Sequence, residues 1–280
     1  MKISIIGVGL IGGSMALKLR QKNIASFIYG IDHNKQHISD ALELKIIDAE
    51  ADLEQGVKYA DLIILAIPVD AARKLLPNVL DLISDHQTVM DAGSTKAGIV
   101  GAVKDHPKRS RFVAFHPMWG TENNGPKSAI ADSFAGKAGV ICNKEESADD
   151  ALETVEKIVN ALDMHMIYMN AEDHDIHTAY ISHISHITSY ALANTVLEKE
   201  REEETIFQLA SSGFSSTVRL AKSHPEMWVP IFKQNKENVL DVLNEHISQL
   251  RKFKSALEKE NYEYLEELIT NANRIRGILR

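Results

Sequence analysis

The chain has 280 residues, 44% hydrophobic and 25% charged, enough for one large or two medium domains around a substantial core. Its formal net charge of -8 speaks against a nucleic-acid backbone as partner, and no apolar run approaches the ~20 residues of a membrane span. A single cysteine, Cys142, excludes an internal disulfide and fits a reducing compartment, which makes the cytoplasm the expected location.

The first predicted strand, 2–6, runs directly into Gly7-Val8-Gly9-Leu10-Ile11-Gly12 and a helix over 11–22. Glycines at this spacing between a strand and a helix are the fingerprint of a dinucleotide-binding turn. Gly7 permits the tight turn, Gly9 lets the backbone approach a pyrophosphate, and Gly12 allows close helix–strand packing. The pyrophosphate would rest on the helix amides near Leu10 and Ile11. The apolar start followed by Ser14-Met15-Ala16 imitates a secretory signal, but the glycine spacing speaks against that. A second strand, 27–31, ends at Asp32, 20 residues after Gly12. A carboxylate there accepts both ribose hydroxyls and repels a 2′-phosphate, so NAD is expected rather than NADP. The plainer alternative is a turn aspartate, and His33 and Asn34 beside it can relax the preference.

Helical patterns over 34–44, 70–83 and 147–162 alternate with strands over 62–67, 87–91, 112–115, 138–142 and 164–169. This alternation predicts a mostly parallel sheet covered on both faces. Leu62-Ile63-Ile64-Leu65-Ala66-Ile67 is apolar throughout, as a central strand would be, and Cys142 reads as a buried, inert thiol. Asp91-Ala92-Gly93-Ser94-Thr95-Lys96 follows the strand 87–91, which puts Ser94 at the carboxyl edge of the sheet, where open α/β folds bind ligands. His116 ends another strand at that edge and opens His116-Pro117-Met118-Trp119-Gly120-Thr121-Glu122. A neutral histidine beside a redox cofactor suits removal of a hydroxyl proton, with Ser94 bonding the same hydroxyl. Equally, His116 is a core or turn histidine and Ser94 a turn serine.

Beyond residue 170 no strand is predicted. Helices are expected over 172–199, 204–222, 225–257 and 261–278, the first opened by Asn170, with Glu198 to Glu204 a solvated helix end. The expected architecture is an α/β N-terminal Rossmann-type dinucleotide-binding domain, 1–170, followed by an all-α C-terminal domain, 171–280. Such a helical domain is expected to line a ligand cleft and to pair with a second subunit as a homodimer. His183 and His186 share a helix face at spacing three; with no further ligands at recognised spacing, a polar cleft face is expected rather than a metal site. Arg219 and Lys222 share a face too, and the guanidinium can grip a carboxylate through paired hydrogen bonds, or simply be a solvated flank. Trp228 is by default a packing residue.

Taken together, the GxGLIGGS-type opening, Asp91 to Lys96, His116 to Glu122, Ser182 to His186 and the segment from Gly213 through Arg219 to Trp228 resemble the prephenate dehydrogenase family along essentially the whole chain. The resemblance implies NAD-dependent oxidative decarboxylation of prephenate to 4-hydroxyphenylpyruvate in tyrosine biosynthesis. By that likeness His116 accepts the hydrogen bond of the ring hydroxyl and Ser94 fixes that hydroxyl and the nicotinamide. Arg219 binds a substrate carboxylate, His186 and Glu122 form the surrounding network, and Trp228 lines the pocket. Trp119 departs from the family's usual smaller residue or phenylalanine, and Ser216 stands where some relatives carry an acid that pairs with the arginine. The length implies neither a fused chorismate mutase segment nor an appended regulatory domain, so tyrosine feedback is expected only at the catalytic site. The alternatives are arogenate as substrate, a catalytically silent nucleotide sensor, and a β-hydroxyacid dehydrogenase, which would use a lysine of the helical domain.

Overall fold

The computed structural model describes residues 1–201 and 205–278. Repeated β-α units open the chain: β1 (Lys2–Ile6) leads into α1 (Leu10–Gln21), β2 (Phe27–Ile31) into α2 (Lys35–Glu43), β3 (Ala49–Glu50) into α3 (Leu53–Tyr59), and β4 (Leu62–Leu65) into α4 (Val69–Leu82). β5 (Thr88–Asp91), α5 (Ala97–Ala102), β6 (Phe112–Pro117), β7 (Ala138–Cys142), α6 (Asp149–Ala161) and β8 (His165–Met169) follow. Among the described residues these strands form one sheet of order β3-β2-β1-β4-β5-β6-β7-β8, parallel throughout except where β7 runs against β6. The order reverses between β1 and β4, and that switch point is where such sheets open a crevice at their carboxyl ends.

The strand period of two divides the core into two layers. Ile3, Ile5, Leu62 and Ile64 pack with Met15 and Leu19 of α1 and Val155 and Ile158 of α6. Ile63, Leu65 and Val89 pack with Leu76, Val79 and Leu80 of α4 on the other face. Every residue of β4 is fully buried, which is why that strand is apolar without alternation.

Sequence reading missed β3, α3 and α5. β3 has only two residues, and Gly56 in α3 and Gly98 with Gly101 in α5 weaken the local helix signal. The remaining strands and helices of this half lie within a few residues of the expected ones.

The helical half starts with α7 (Ala171–Thr178), where the Asn170 side chain accepts the Asp173 amide as an N-cap. A π turn, Ala179–His183, joins α7 to α8 (Ile184–Glu200), so the predicted helix 172–199 is interrupted. The predicted helix 204–222 is not continuous: it comprises a 3-10 turn at Ile206–Leu209, the short α9 (Ser212–Thr217) and a second 3-10 turn at Arg219–Lys222. Ser216 and Thr217 explain part of this, since both hydroxyls bond back to the Gly213 carbonyl and compete with regular helix bonds. Glu202, Glu203 and Glu204 of the expected solvated helix end lie outside the described residues. The predicted helix 225–257 divides at Asn235 into α10 (Pro225–Gln234) and α11 (Lys236–Glu258), and α12 (Tyr262–Asn273) ends in a 3-10 turn. Among the described residues no helix is long and apolar enough to cross a membrane.

Candidate active site

The glycine turn takes its shape from contacts inside the protein at two positions and from none at the third. Gly7 has φ +96°, and a Cβ there would lie 2.4 Å from the Ala66 carbonyl oxygen. A Cβ on Gly12 would lie 2.1 Å from the Gly7 carbonyl oxygen and 2.8 Å from Ile5. Both glycines therefore let α1 sit tightly on β1 and β4. A Cβ on Gly9, by contrast, would meet no protein atom within 4 Å, so packing does not require a glycine there. Gly9 is the N-cap of α1 and offers no side chain to its amides, so the start of the helix, at Leu10 and Ile11, keeps donors for an anion. This cradle fits the pyrophosphate of a dinucleotide.

Asp32 stands directly after β2. Its carboxylate accepts the Val8 amide at 3.1 Å and the Asn34 amide at 2.9 Å, with the Nδ1 atoms of His33 and His37 at 3.4 and 3.5 Å. The side chain thus braces the glycine turn and retains acceptor capacity for a ribose hydroxyl.

At the same sheet edge, β5 and β6 carry Ser94 and His116. The turn that bears Ser94 is closed by a fully buried ion pair, Asp91 with Lys96. Asp91 also accepts the Gly93 amide at 2.9 Å and the Phe115 amide at 3.2 Å, while Lys96 Nζ donates to the Phe115 carbonyl at 2.8 Å. The pair locks the Ser94 turn to the residue preceding His116. Ser94 itself is half-buried, in the turn between β5 and α5. His116 is buried, and its Nδ1 lies 2.8 Å from Nε2 of His174 on α7. Burial holds the His116 imidazole well below the usual histidine range, with His174, Lys96 and His183 adding in the same direction. It is neutral at physiological pH, the state in which an imidazole can accept a proton.

The helical half supplies the opposite wall. His186 stacks on Trp228 with ring centroids 3.4 Å apart, and His183 meets the same indole edge-on at 5.9 Å. Nine residues separate His174 from His183, which on an uninterrupted α-helix places them on opposite faces. The extra residue of the π turn rotates the later segment and brings His183 to the face of His174. Asn235 Nδ2 bridges the Asp175 carbonyl at 2.6 Å and His183 Nδ1 at 3.1 Å. Burial depresses His183 to about 4. Arg219 Nη1 bonds Glu122 at 3.1 Å across the cleft. The Glu122 carboxyl sits below its usual range, through its own backbone amide first and then Arg219. Arg219 also helps lower His186, after burial, so the guanidinium lies in the field of the His186–Trp228 stack. The Trp228 Nε1–H is buried with no acceptor among the described residues.

Two sequence models match the chain in succession. The nucleotide-binding domain of prephenate dehydrogenase matches residues 15–168, and the prephenate dehydrogenase dimerization domain matches residues 170–271. The chain belongs to the prephenate dehydrogenase family. Prephenate dehydrogenase of Bacillus subtilis (strain 168) is 31% identical over 266 residues, covering 94% of this chain and 72% of the relative. Cyclohexadienyl dehydrogenase of Zymomonas mobilis is 28% identical, covering 99% and 96%. The solved prephenate dehydrogenase of A. aeolicus, in complex with hydroxyphenyl propionate and NAD+, superposes with a TM-score of 0.92 at 30% identity, over 100% of this chain and 99% of that one. Arogenate dehydrogenase of Synechocystis gives a TM-score of 0.78 at 25% identity, with full coverage of both chains.

Among the two departures from the prephenate dehydrogenase pattern, Trp119 packs edge-on against Phe134 at 5.2 Å and joins the core of the nucleotide half. Ser216 bonds the Gly213 carbonyl rather than the arginine, whose carboxylate partner here is Glu122. Sequence reading missed His174, Asp175 and Asn235, and left Asp91 and Lys96 without a role. The capped helix start at Asn170 was a local signal for the helix that carries His174 and Asp175 only; what joins the five residues is tertiary.

Proposed function

We propose that the chain is an NAD-dependent prephenate dehydrogenase, with a nucleotide half over 1–170 and a helical half over 171–280. The observation that carries this reading is His116: buried, neutral and fixed on the same sheet edge as the glycine cradle, beside the histidine–tryptophan–arginine wall. Gly7, Gly9, Gly12 and the amides of Leu10 and Ile11 would hold the pyrophosphate, and Asp32 the adenosine ribose. NAD, when bound, supplies the hydride acceptor.

His116 takes the proton of the ring hydroxyl as the hydride leaves the same carbon, and Ser94 orients that hydroxyl. The ring carboxylate departs as carbon dioxide and its electron pair completes the aromatic ring. The product keeps a hydroxyl at the oxidised carbon, so the imidazole can return the proton to that oxygen and no net proton has to leave the site. Arg219 anchors a substrate carboxylate with the N–H groups not bonded to Glu122. Trp228, whose indole N–H lacks a partner among the described residues, contributes a donor to the substrate end of the cleft, next to His186.

Steady-state rates with prephenate and with arogenate, each with NAD and NADP, test the assignment. NADH formation coupled to carbon dioxide release from prephenate is expected; NAD binding without turnover of either substrate would instead mark a silent nucleotide sensor. Likeness to the Synechocystis arogenate dehydrogenase supports arogenate as a second substrate, which the same assay resolves. A homodimer through the helical half is supported by α12, in which no residue is fully buried among the described residues, and by the exposed apolar side chains Tyr262 and Ile269 of α12 and Leu250 and Leu257 of α11.

A further inference from the structure

We propose that His174 and Asp175 are positioning residues that fix His116 in the tautomer protonated on Nδ1, leaving Nε2 as the proton-accepting nitrogen. The inference rests on the reading of His116 as the base. Its origin is a chain of hydrogen bonds that runs from the helical half into the nucleotide half, with only one self-consistent assignment of protons.

Asp175 is the fixed end of the chain. Oδ1 accepts the Lys96 amide at 2.7 Å, and Oδ2 accepts the Ala97 amide at 2.9 Å. Backbone amides only donate, so both oxygens are held in the acceptor role. His174 Nδ1 lies 2.8 Å from Oδ1 and must therefore be the protonated nitrogen, donating to it. His174 is 1% exposed, and its burial outweighs the pull of Asp175, so the ring is neutral and its Nε2 carries a lone pair. His116 Nδ1, at 2.8 Å from that lone pair, is then the donor, and a neutral His116 has its lone pair on Nε2. The charge left on Asp175 is thus conveyed to His116 through an intervening imidazole. It favours the imidazolium formed transiently on His116 when the hydroxyl proton arrives.

The same carboxylate serves the other side of the site. Lys96 and Ala97, whose amides Asp175 accepts, follow Ser94 by two and three residues and open α5. Asp175 therefore ties the Ser94 turn, the start of α5 and the His116 tautomer to one side chain. Asn235 holds the Asp175 carbonyl, and the Thr178 hydroxyl bonds the carbonyls of His174 and Asp175, so the segment is fixed on three sides.

The experiment is nitrogen NMR of histidine-labelled full-length protein at pH 7, combined with kinetics of three variants. In the wild type, His116 should show a protonated Nδ1 and a bare Nε2; the opposite tautomer overturns the proposal, whatever the activity. In Asp175→Asn the amide can donate to His174 Nδ1, which reverses the chain and protonates His116 Nε2. That variant should lose about 10²- to 10⁴-fold in kcat, with KM for prephenate and the Kd of NAD nearly unchanged. Because Asp175 also caps α5, His174→Phe and His174→Gln separate positioning from folding. Phenylalanine fills the space without an acceptor, and should release His116 to mixed tautomers and lower kcat by about tenfold or more. Glutamine offers a carbonyl oxygen to His116 Nδ1 and should restore most of that loss and the single tautomer. A folded His174→Phe protein with one His116 tautomer and an unchanged pH profile overturns the proposal. Failure of the dehydrogenase reading looks different: the NMR pattern stands while neither substrate is turned over.

Discussion

The glycine turn after β1 and the histidine chain at the end of β6 sit on one edge of one sheet and are built by opposite means. The turn is local. Gly7 and Gly12 approach Ile5, Ala66 and each other where β1 and β4 end, and that close packing dictates their identity, while Gly9 between them opens α1. The histidine chain is assembled from β6, α7 and the start of α5, with residues 58 and 79 positions apart bonded to one another. A site of the first kind tolerates little change but announces itself in sequence. A site of the second kind depends on how two halves dock, and a change in either half can disable it without touching the fold.

Gly12→Ala should have the largest effect, and Gly9→Ala supplies its control. The added methyl of Gly12→Ala lands on a backbone oxygen, so a loss of about 3 kcal/mol or more is expected, read as a lower midpoint in urea. Gly9→Ala meets no protein atom and should leave that midpoint unchanged while weakening NAD binding measured by calorimetry. Equal destabilisation by both would mean that the cradle is shaped by packing alone.

The buried histidines carry the next effect. Folding holds His183 at about 4, so below the ordinary histidine value the unfolded chain binds a proton that the folded chain refuses. Stability is therefore full above about pH 6.5, falls as pH drops towards about 4, and levels off below it. For His183 alone the loss is on the order of 3 kcal/mol, and His116, His174 and His186 shift in the same direction. Urea unfolding at pH 7 and pH 4.5 measures it. His183→Gln should flatten the slope by about one proton; an unaltered slope would place the neutral histidines elsewhere.

These two effects also mark how far sequence carries. β1, β2, β4 and their helices were legible because strand periodicity and glycine spacing are local properties. Ser94 and His116 were legible as candidates because one follows a strand and the other ends one, and the carboxyl ends of such strands face the crevice. Asp175 was not, since it stands inside a short helix whose first turn already carries Glu172 and Asp173, and nothing nearby reveals that it caps a different helix. The break at Asn235 was hidden for the same reason: the Asn235 side chain there bonds the Asp175 carbonyl and His183, distant partners that the periodicity of 225–257 does not announce.

His116→Asn tests the chemistry rather than the assembly. It should lower kcat by about 10²-fold, the usual loss on removing a general base, with NAD affinity kept. Because burial lowers the His116 pKa, the acid limb of kcat/KM in the wild type should lie below the ordinary histidine value, and the variant should lose that limb. A wild-type limb at or above the ordinary value would assign the ionisation to another group.

Arg219→Ala carries the smallest effect and bears most directly on the contrast between the two halves. Arg219 is half-exposed and paired with Glu122, and a solvent-screened pair of this kind contributes little to folding. Stability should therefore hardly change. A guanidinium that grips a substrate carboxylate contributes equally before and during hydride transfer, so its loss should raise KM by about tenfold with kcat preserved. Glu122→Gln, which frees the guanidinium without removing it, should leave KM within a few-fold. Should Arg219→Ala instead lower kcat at constant KM, the arginine would act on the transition state, and the helical half would contribute chemistry as well as binding. Unaltered KM and kcat together would remove Arg219 from the site, leaving polar recognition on that wall to groups such as His186 and the Trp228 N–H, which has no partner among the described residues.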